Sequence, residues 1–359
     1  MRIVFIAPKF FPEIGGVEKH IQSVSKELTK LNHSVIVMTS TFRDNIKPFE
    51  TYKGIQIYRN CLRPSYSPRL NSVINLMKSW IFFAKKFPLL VDCEIIHLHD
   101  MESFLWLLPL IPSLKILFRK RIFTTFHGFE GYPVSKLAII IRKAAEKIGD
   151  GNICVGSYIV KWYGTKPDAV IVGGVDTERG FAIGAVKEGA VFIGRLAEDT
   201  GIMQYIEGLK ILKDKYSIKM ELCVCGDGLL GSKIHEFATV NGLEVFFQGF
   251  VEHPEEFLDR YRYAFVTGYL SILEAMLCKR LIFAIYGNEL KKDYICSIPN
   301  AEALLFVSAS PEELADNLYL AKSEPEQVES ILKKARAFAI EQTWKKIATT
   351  YLELYEKKV

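Results

Sequence analysis

Residues 264–285 read AFVTGYLSILEAMLCKRLIFAI, and no other stretch constrains the fold of this chain as closely. A short apolar run at 264–266 enters a Gly-Tyr turn, a helix is expected over about 271–278, and 281–285 is a second apolar run. Strands that are apolar without alternation belong to parallel sheets covered by helices on both faces, so the stretch predicts a strand-loop-helix-strand unit. Sheets of this kind place ligands at the carboxyl ends of their strands. The N–H groups of Ser271, Ile272 and Leu273 are then offered to a phosphate, and Glu274, expected in the first helical turn, offers a carboxylate to a sugar hydroxyl. An acid that merely complements the helix dipole explains Glu274 as well, and from this stretch alone the two readings weigh about the same.

The same unit opens the chain. An apolar run at 3–7 leads into a loop with two prolines and Gly15-Gly16, followed by a helical period on Val17, Ile21, Val24, Leu28 and Leu31 and a second run at 35–38. The glycine spacing is not the dinucleotide G-x-G-x-x-G, and no acid follows the second strand. Further strands are expected at 55–58, 95–98, 122–126, 153–155 and 169–172. A second series is expected at 190–193, 220–224, 245–247 and 264–266, then at Leu281–Ile285 and 304–307. Helices are expected at 72–90, 134–148, 158–163, 201–212, 254–261 and 311–321, with a largely helical tail from 324. At 359 residues the chain is long for one core and natural for two. The expectation is α/β architecture with two Rossmann-like doubly wound parallel sheets, an N-terminal domain at 1–176, a linker at 177–189 and a C-terminal domain at 190–335.

Polar residues at strand ends mark candidate sites. His97 and His99 alternate onto one face, without a partner in ligand spacing. His127, followed at once by Gly128 within the run His127-Gly128-Phe129-Glu130-Gly131, has the access expected of a site residue, or is simply a loop histidine. In the second half Gly194-Arg195-Leu196, Gly226-Asp227-Gly228 and Gly249-Phe250-Val251 each end a strand, where backbone must approach a nucleotide closely.

Charge and cysteine content narrow the partners. With 46 basic and 41 acidic residues the net charge of +5 does not suggest a nucleic-acid binder. Seven scattered cysteines, including the lone Cys223-x-Cys225, read as buried small hydrophobes in a reduced compartment. The N-terminus reads as a strand rather than a secretory signal, so a cytoplasmic location is expected. No segment has the roughly 18 uninterrupted apolar residues a membrane span needs. The helix at 72–90 places Val73, Leu76, Met77, Trp80, Ile81 and Phe83 among Lys78, Lys85 and Lys86, with Arg69 before it and Lys115, Arg119, Lys120 and Arg121 further on. It suits either packing on the sheet, weighed somewhat higher, or lying against anionic lipid on the cytoplasmic face.

Taken together, Gly15-Gly16-Val17-Glu18-Lys19-His20, the T-x-H-G of 125–128, the Gly-Gly-Val-Asp of 173–176, Gly194-Arg195-Leu196, Gly226-Asp227-Gly228 and L-x-E-A-M around Glu274 resemble, in order and spacing, the GT-B fold glycosyltransferases of retaining family 4. None of these pieces is specific alone. The resemblance implies two domains facing a cleft, a nucleotide-sugar held mainly by the second, and a C-terminal helix at 336–359 crossing back to the first. It places Gly16 in the loop near diphosphate and acceptor, His127 beside the transferred sugar, Arg195 on the diphosphate and Glu274 on the ribose. Gly226, Gly228, Phe250, Ser271 and Ile272 join the donor-binding set. The implied activity moves a hexose-type sugar from a UDP- or GDP-sugar to an acceptor hydroxyl with retention. The helix at 72–90 and the basic run at 115–121 suggest a glycan or lipid-linked acceptor, and without a D-x-D carboxylate pair no metal or other cofactor is expected. Two positions depart from the pattern. Thr200 stands where a lysine is expected before Gly201, and Val266 stands where the first acid of an E-x7-E pair ending at Glu274 is expected. A weakly active or inactive nucleotide-sugar binder and a nucleotide-sugar epimerase of the same fold are the alternatives.

Overall fold

A computed structural model describes residues 1–13, 15–41, 45–62, 68–128, 131–178 and 186–357, with backbone alone for 68–72. Phe129, Glu130, the Arg69 side chain and residues 179–185 of the expected linker lie outside this description. The chain divides into two compact units, one of residues 1–171 with 344–359 and one of residues 172–343.

The first unit opens with β1 (Arg2–Ala7), α1 (Gly16–Lys30) and β2 (Ser34–Thr41), then the strands β3 (Phe49–Tyr52) and β4 (Ile55–Cys61). Next come α2 (Pro68–Lys85), α3 (Phe87–Asp92), β5 (Ile95–His99) and α4 (Asp100–Leu107). The unit continues through β6 (Arg121–Phe126), α5 (Lys136–Ile148), β7 (Gly151–Val155), α6 (Tyr158–Tyr163) and β8 (Ala169–Ile171). Its sheet has the order β3-β4-β2-β1-β5-β6-β7-β8 and is parallel apart from β3. β1 is buried and apolar from Ile3 to Ala7, as a strand covered on both sides requires, whereas β2, β5 and β6 bury polar residues toward their carboxyl ends: Thr39–Thr41, His97 and His99, and Thr124 and Thr125. The single helix expected at 72–90 is two, because Pro88 belongs to the first turn of α3, where its missing N–H costs nothing. The apolar residues of α2 divide between two faces: Val73 and Met77 are 56% and 54% exposed, and Ile74 and Ile81 are exposed too, whereas Phe83 is buried and Leu76, Trp80 and Phe82 are half-buried. The packed-helix reading describes the Trp80–Phe83 face, where the Trp80 ring N–H donates to the Leu105 carbonyl of α4 at 3.0 Å, and leaves the Val73–Ile81 face uncovered among the described residues.

The second unit contains β9 (Lys187–Ile193), α7 (Ile202–Tyr216), β10 (Glu221–Cys225), α8 (Gly231–Val240), β11 (Val245–Gly249), α9 (Glu255–Leu258) and β12 (Tyr261–Phe265). It continues with α10 (Tyr269–Leu277), β13 (Leu281–Ile285), α11 (Glu289–Cys296), α12 (Ala301–Leu304), β14 (Phe306–Ser308), α13 (Pro311–Ser323) and α14 (Pro325–Ile340). Its six strands are all parallel, in the order β11-β10-β9-β12-β13-β14. Phe192, Phe265 and Phe283, one from each of three neighbouring strands, gather with Tyr205 of α7 in the core. The Tyr205 ring stacks on Phe265 at 4.7 Å, and its hydroxyl donates to the Phe283 carbonyl at 2.8 Å, so the polar tip is satisfied inside an apolar layer. The helix expected at 254–261 is only the single turn α9, because Tyr261 already pairs with Lys187 as a strand.

The tail breaks at residues 341–343, and a last helix, α15 (Trp344–Glu356), packs against α1 of the first unit. The returning segment thus starts at Trp344 rather than 336, since α14 packs against α10 and stays with the second unit. The first boundary likewise falls at Ile171 rather than 176: Val175 bridges to Thr343, on the second unit's side.

Candidate active site

In the second unit the sequence-predicted residues gather at the carboxyl ends of β9, β10, β11 and β12. Arg195 follows β9 with its side chain 75% exposed, and its guanidinium donates to Asp199 Oδ2 at 2.8 Å. An exposed i,i+4 pair is worth little, so Asp199 gives way readily to a more highly charged anion. Thr200, in the place of the expected lysine, spends its hydroxyl on the Arg195 and Ala197 carbonyls, at 2.9 and 2.7 Å, and closes the loop.

Gly226 and Gly228 hold this loop from the other side. A Cβ on Gly226 would overlap the Gly194 carbonyl, and one on Gly228 would lie 2.5 Å from the Leu196 carbonyl oxygen. The Leu196 N–H donates to the Asp227 carbonyl at 2.9 Å, locking the two strand-end loops together. Both glycines are therefore required by loop-on-loop packing inside the protein, which differs from the expected reason, room for a nucleotide. An open recess of about 490 Å³ lies beside them, with Leu196, Gly226, Asp227, His235 and Phe247 among its lining residues. Phe250 follows Gly249 as an exposed ring and is not among those lining residues.

The helix carrying Glu274 begins two residues earlier than expected, at Tyr269, which moves Glu274 out of the first turn. The Ile272 N–H donates to the Gly268 carbonyl at 2.9 Å and is spent, and Leu273 lies inside the helical ladder. Of the three amides expected to meet a phosphate, Ser271's remains, with its hydroxyl turned back to the Gly268 carbonyl at 2.9 Å. The Tyr269 N–H is taken by the Tyr294 hydroxyl at 3.2 Å. Val266 is fully buried, so no acid stands at the first E-x7-E position.

The first unit holds the histidine group. The register pairs Phe5 with His97, His97 with Phe123 and His99 with Thr125, so β5 presents both imidazoles on one buried face. His127, just beyond β6, meets His99: its Nε2 lies 2.9 Å from His99 Nδ1, and the rings are nearly parallel. The His127 N–H donates to Asp100 Oδ1 at 2.7 Å. Arg142 of α5, fully buried, donates to the Gly128 carbonyl at 3.1 Å with its guanidinium over the Phe126 and Tyr163 rings. His20 of α1 packs edge-on against His127, with centroids 4.8 Å apart. Burial, then the neighbouring imidazoles, lowers the His97 and His99 pKa values well below the usual range, and His20 falls likewise through burial and His127. Burial and the Arg142 charge push His127 down to about 3. All four imidazoles are neutral at pH 7. Burial raises the Glu18, Asp100 and Glu102 carboxyls nearby. Gly16, exposed at the start of α1, has no atom of the described residues within 4 Å of where a Cβ would stand.

Reading the sequence placed His20 in the Gly15–His20 run without a role of its own and singled out neither Asp100 nor Arg142. Arg142 carried a signal: it falls on the buried Ala138–Ala145 stripe of α5, where a cation demands a purpose. The basic run at 115–121 turns inward. Lys115 donates to the Ile148 carbonyl and Asp150, Lys120 to the Cys93 carbonyl and Arg121 to the Tyr355 carbonyl, so three of its four cations serve the fold rather than a surface. Among the described residues no helix is long and apolar enough to cross a membrane, and no three or more His, Cys, Asp or Glu residues are grouped to hold a metal ion.

Two parallel-sheet units with this strand-end arrangement are the GT-B fold, and comparison with known proteins agrees. The chain superposes on sucrose-phosphate synthase from Thermosynechococcus elongatus with a TM-score of 0.77 at 17% identity, covering 99% of this chain and 98% of that one. Residues 14–179 match the family model described as Glycosyltransferase Family 4, and residues 182–338 match that of Glycosyl transferases group 1. The chain is a GT-B fold glycosyltransferase related to the family 4 and group 1 enzymes. It is 23% identical over 360 residues to a phosphatidylinositol N-acetylglucosaminyltransferase protein of Arabidopsis thaliana, covering 93% of this chain and 74% of that protein. A 56-residue stretch is 34% identical to the GPI3 subunit of the Saccharomyces cerevisiae enzyme of that name. That match spans 16% of this chain and only 12% of the yeast protein.

Proposed function

We propose that the chain transfers a hexose-type sugar, with retention of anomeric configuration, from a UDP- or GDP-sugar to a hydroxyl of a lipid-linked acceptor. The observation that carries this reading is the donor half-site of the second unit. The exposed Arg195 guanidinium and the start of α10 lie at the carboxyl ends of neighbouring strands, β9 and β12. Charge that grows on a departing diphosphate is stabilised there by a cation and by the Ser271 amide in the first turn of α10, and such preoriented charges supply the largest share of many rate enhancements. Glu274 orients the ribose, and Phe250 offers its exposed ring to the base. On the acceptor side, His127 contacts the transferred sugar and Gly16 leaves room for backbone to approach it. No protein nucleophile is invoked: the leaving phosphate takes the acceptor proton on the face it departs from.

A lipid acceptor is favoured by α2, whose exposed Val73, Met77 and Ile81 lie among Lys78 and Lys85. An exposed apolar face rimmed by cations suits the cytoplasmic surface of an anionic membrane. The names of the relatives, which place phosphatidylinositol and N-acetylglucosamine in their reactions, point the same way.

The test is a thermal-shift screen of nucleoside-diphosphate sugars followed by calorimetric titration of the hits. One base and one sugar should bind, and Glu274→Ala should abolish the shift. Well-folded protein that binds none of them overturns the reading. Flotation with vesicles containing anionic lipid tests the acceptor side, where absence of binding at low salt removes the membrane from it.

A further inference from the structure

We infer that Lys291 is a second cation of the donor diphosphate site, a reading that rests on the donor assignment above. Lys291 lies in α11, which follows β13, and β13 is the strand next to β12. The carboxyl ends of β9, β12 and β13 thus deliver Arg195, the start of α10 and Lys291 to one edge of one sheet. The lysine is tied to α10 through an aromatic pair. Its ammonium lies 4.4 Å above the Tyr294 ring, which stacks on Tyr269 at 4.2 Å, and the Tyr294 hydroxyl accepts the first amide of α10.

The electrostatics of the position ask for an anion. Lys291 is largely withdrawn from solvent, yet among the described residues no carboxylate lies within ion-pair reach of its ammonium. It feels two charges, Asp199 and Arg195, and these two are already paired with each other at 2.8 Å. Burial lowers the Lys291 pKa to about 8, with Asp199 opposing and Arg195 adding to the shift. A desolvated ammonium set beside a guanidinium, with one shared carboxylate, is a poor arrangement for an empty protein and a good one for a doubly charged ligand. Nothing else on the Arg195 loop supplies this charge, because Thr200 is a neutral residue bonded to its own loop.

The experiment titrates the nucleoside mono- and diphosphates of uridine and guanosine into wild type, Lys291→Met and Lys291→Arg at pH 7.5. Wild type should prefer the diphosphate of its base. Lys291→Met should weaken diphosphate binding by about 10–100-fold, the range of hydrogen bonds to charged groups, with a smaller effect on the monophosphate, and Lys291→Arg should recover most of the loss. Independently of any variant, acetylation of Lys291 in wild type, read by mass spectrometry, should be slowed by saturating diphosphate. Equal diphosphate affinity in wild type and Lys291→Met, equal losses for both ligands, or acetylation indifferent to ligand overturns the assignment and leaves the donor site standing. Wild type that binds neither diphosphate overturns both.

Discussion

His20 Nε2 and the Tyr351 hydroxyl meet at 3.0 Å in the interior of the first unit, although 331 positions separate them in the chain. The bond is one step of a buried relay. The Tyr351 hydroxyl lies 2.7 Å from Thr125 Oγ1, which lies 2.7 Å from His97 Nε2, and His97 Nδ1 lies 2.8 Å from the Tyr355 hydroxyl. Two phenols of α15 are thereby plugged into the sheet of the first unit, which gives the returning helix a specific seat rather than a merely greasy one.

That seat tolerates only neutral imidazoles, so stability should depend on pH. His20, His97, His99 and His127 all have folded pKa values lowered from the ordinary 6.5. Unfolding then takes up protons below about pH 6.5, and stability, complete above it, is lost as pH falls toward the folded values. Each imidazole that stays neutral while folded removes about 1.4 kcal/mol per pH unit in that window. The urea midpoint of the first unit should therefore drop steeply between pH 7 and pH 5. A flat midpoint over that range would contradict the buried relay.

The His99–His127 bond fixes a tautomer. His99 Nε2 is buried and has no partner among the described residues, and an orphaned ring N–H there would cost more than an orphaned lone pair. The His99 proton therefore belongs on Nδ1, where it donates to His127 Nε2, and His127 carries its own proton on Nδ1. In the proposed reaction His127 therefore offers its Nδ1–H to a sugar oxygen, as a hydrogen-bond donor rather than a base. Long-range proton–nitrogen NMR of the imidazoles should show His127 as the Nδ1–H form down to about pH 4, given its pKa of about 3. An Nε2–H signal for His127 in wild type would reverse the assignment.

The glycines separate fold from function. Gly226→Ala forces a methyl group into the Gly194 carbonyl, and overpacking of this kind costs about 1–3 kcal/mol. Gly16→Ala meets nothing within the described residues and should leave the melting temperature unchanged or slightly raised. If a ligand approaches the start of α1, Gly16→Ala should nevertheless lower turnover by at least about tenfold, since small misplacements at a reacting centre are expensive. Full activity in well-folded Gly16→Ala removes Gly16 from the site.

The sequence made the sheets legible because buried parallel strands announce themselves as unbroken apolar runs between glycine-bearing loops. Helix starts were less legible. The start of α10 moved by two residues because Tyr269, which reads as part of a turn, is recruited into the helix by its stack on Tyr294, a contact 25 positions away. The same long-range cause hid Lys291 and His20. Each lies on an ordinary amphipathic helix, and only the strand order of its sheet or the docking of α15 gives it a neighbour that matters. Gly226 and Gly228 were visible as site glycines, but their packing against Gly194 and Leu196 was not, because two strand ends must be adjacent before their loops can collide.

The titration of Lys291 offers a last check on the donor site, with a sign that a merely structural lysine would not produce. Its pKa of about 8 in the free protein should rise when a diphosphate binds, because the ligand favours the charged ammonium. Above pH 8 binding must therefore take up a proton, and diphosphate affinity should fall by up to about tenfold per pH unit. The groups facing the ammonium do not titrate there to mask the effect. Tyr294, on the same helix, is pushed up to about 12 by burial, and burial holds Tyr269 on α10 well above its ordinary value. Lys291→Arg, charged throughout, should bind diphosphate with a nearly constant affinity from pH 7.5 to 9. Parallel pH curves for wild type and Lys291→Arg would show that the ammonium does not touch the phosphates.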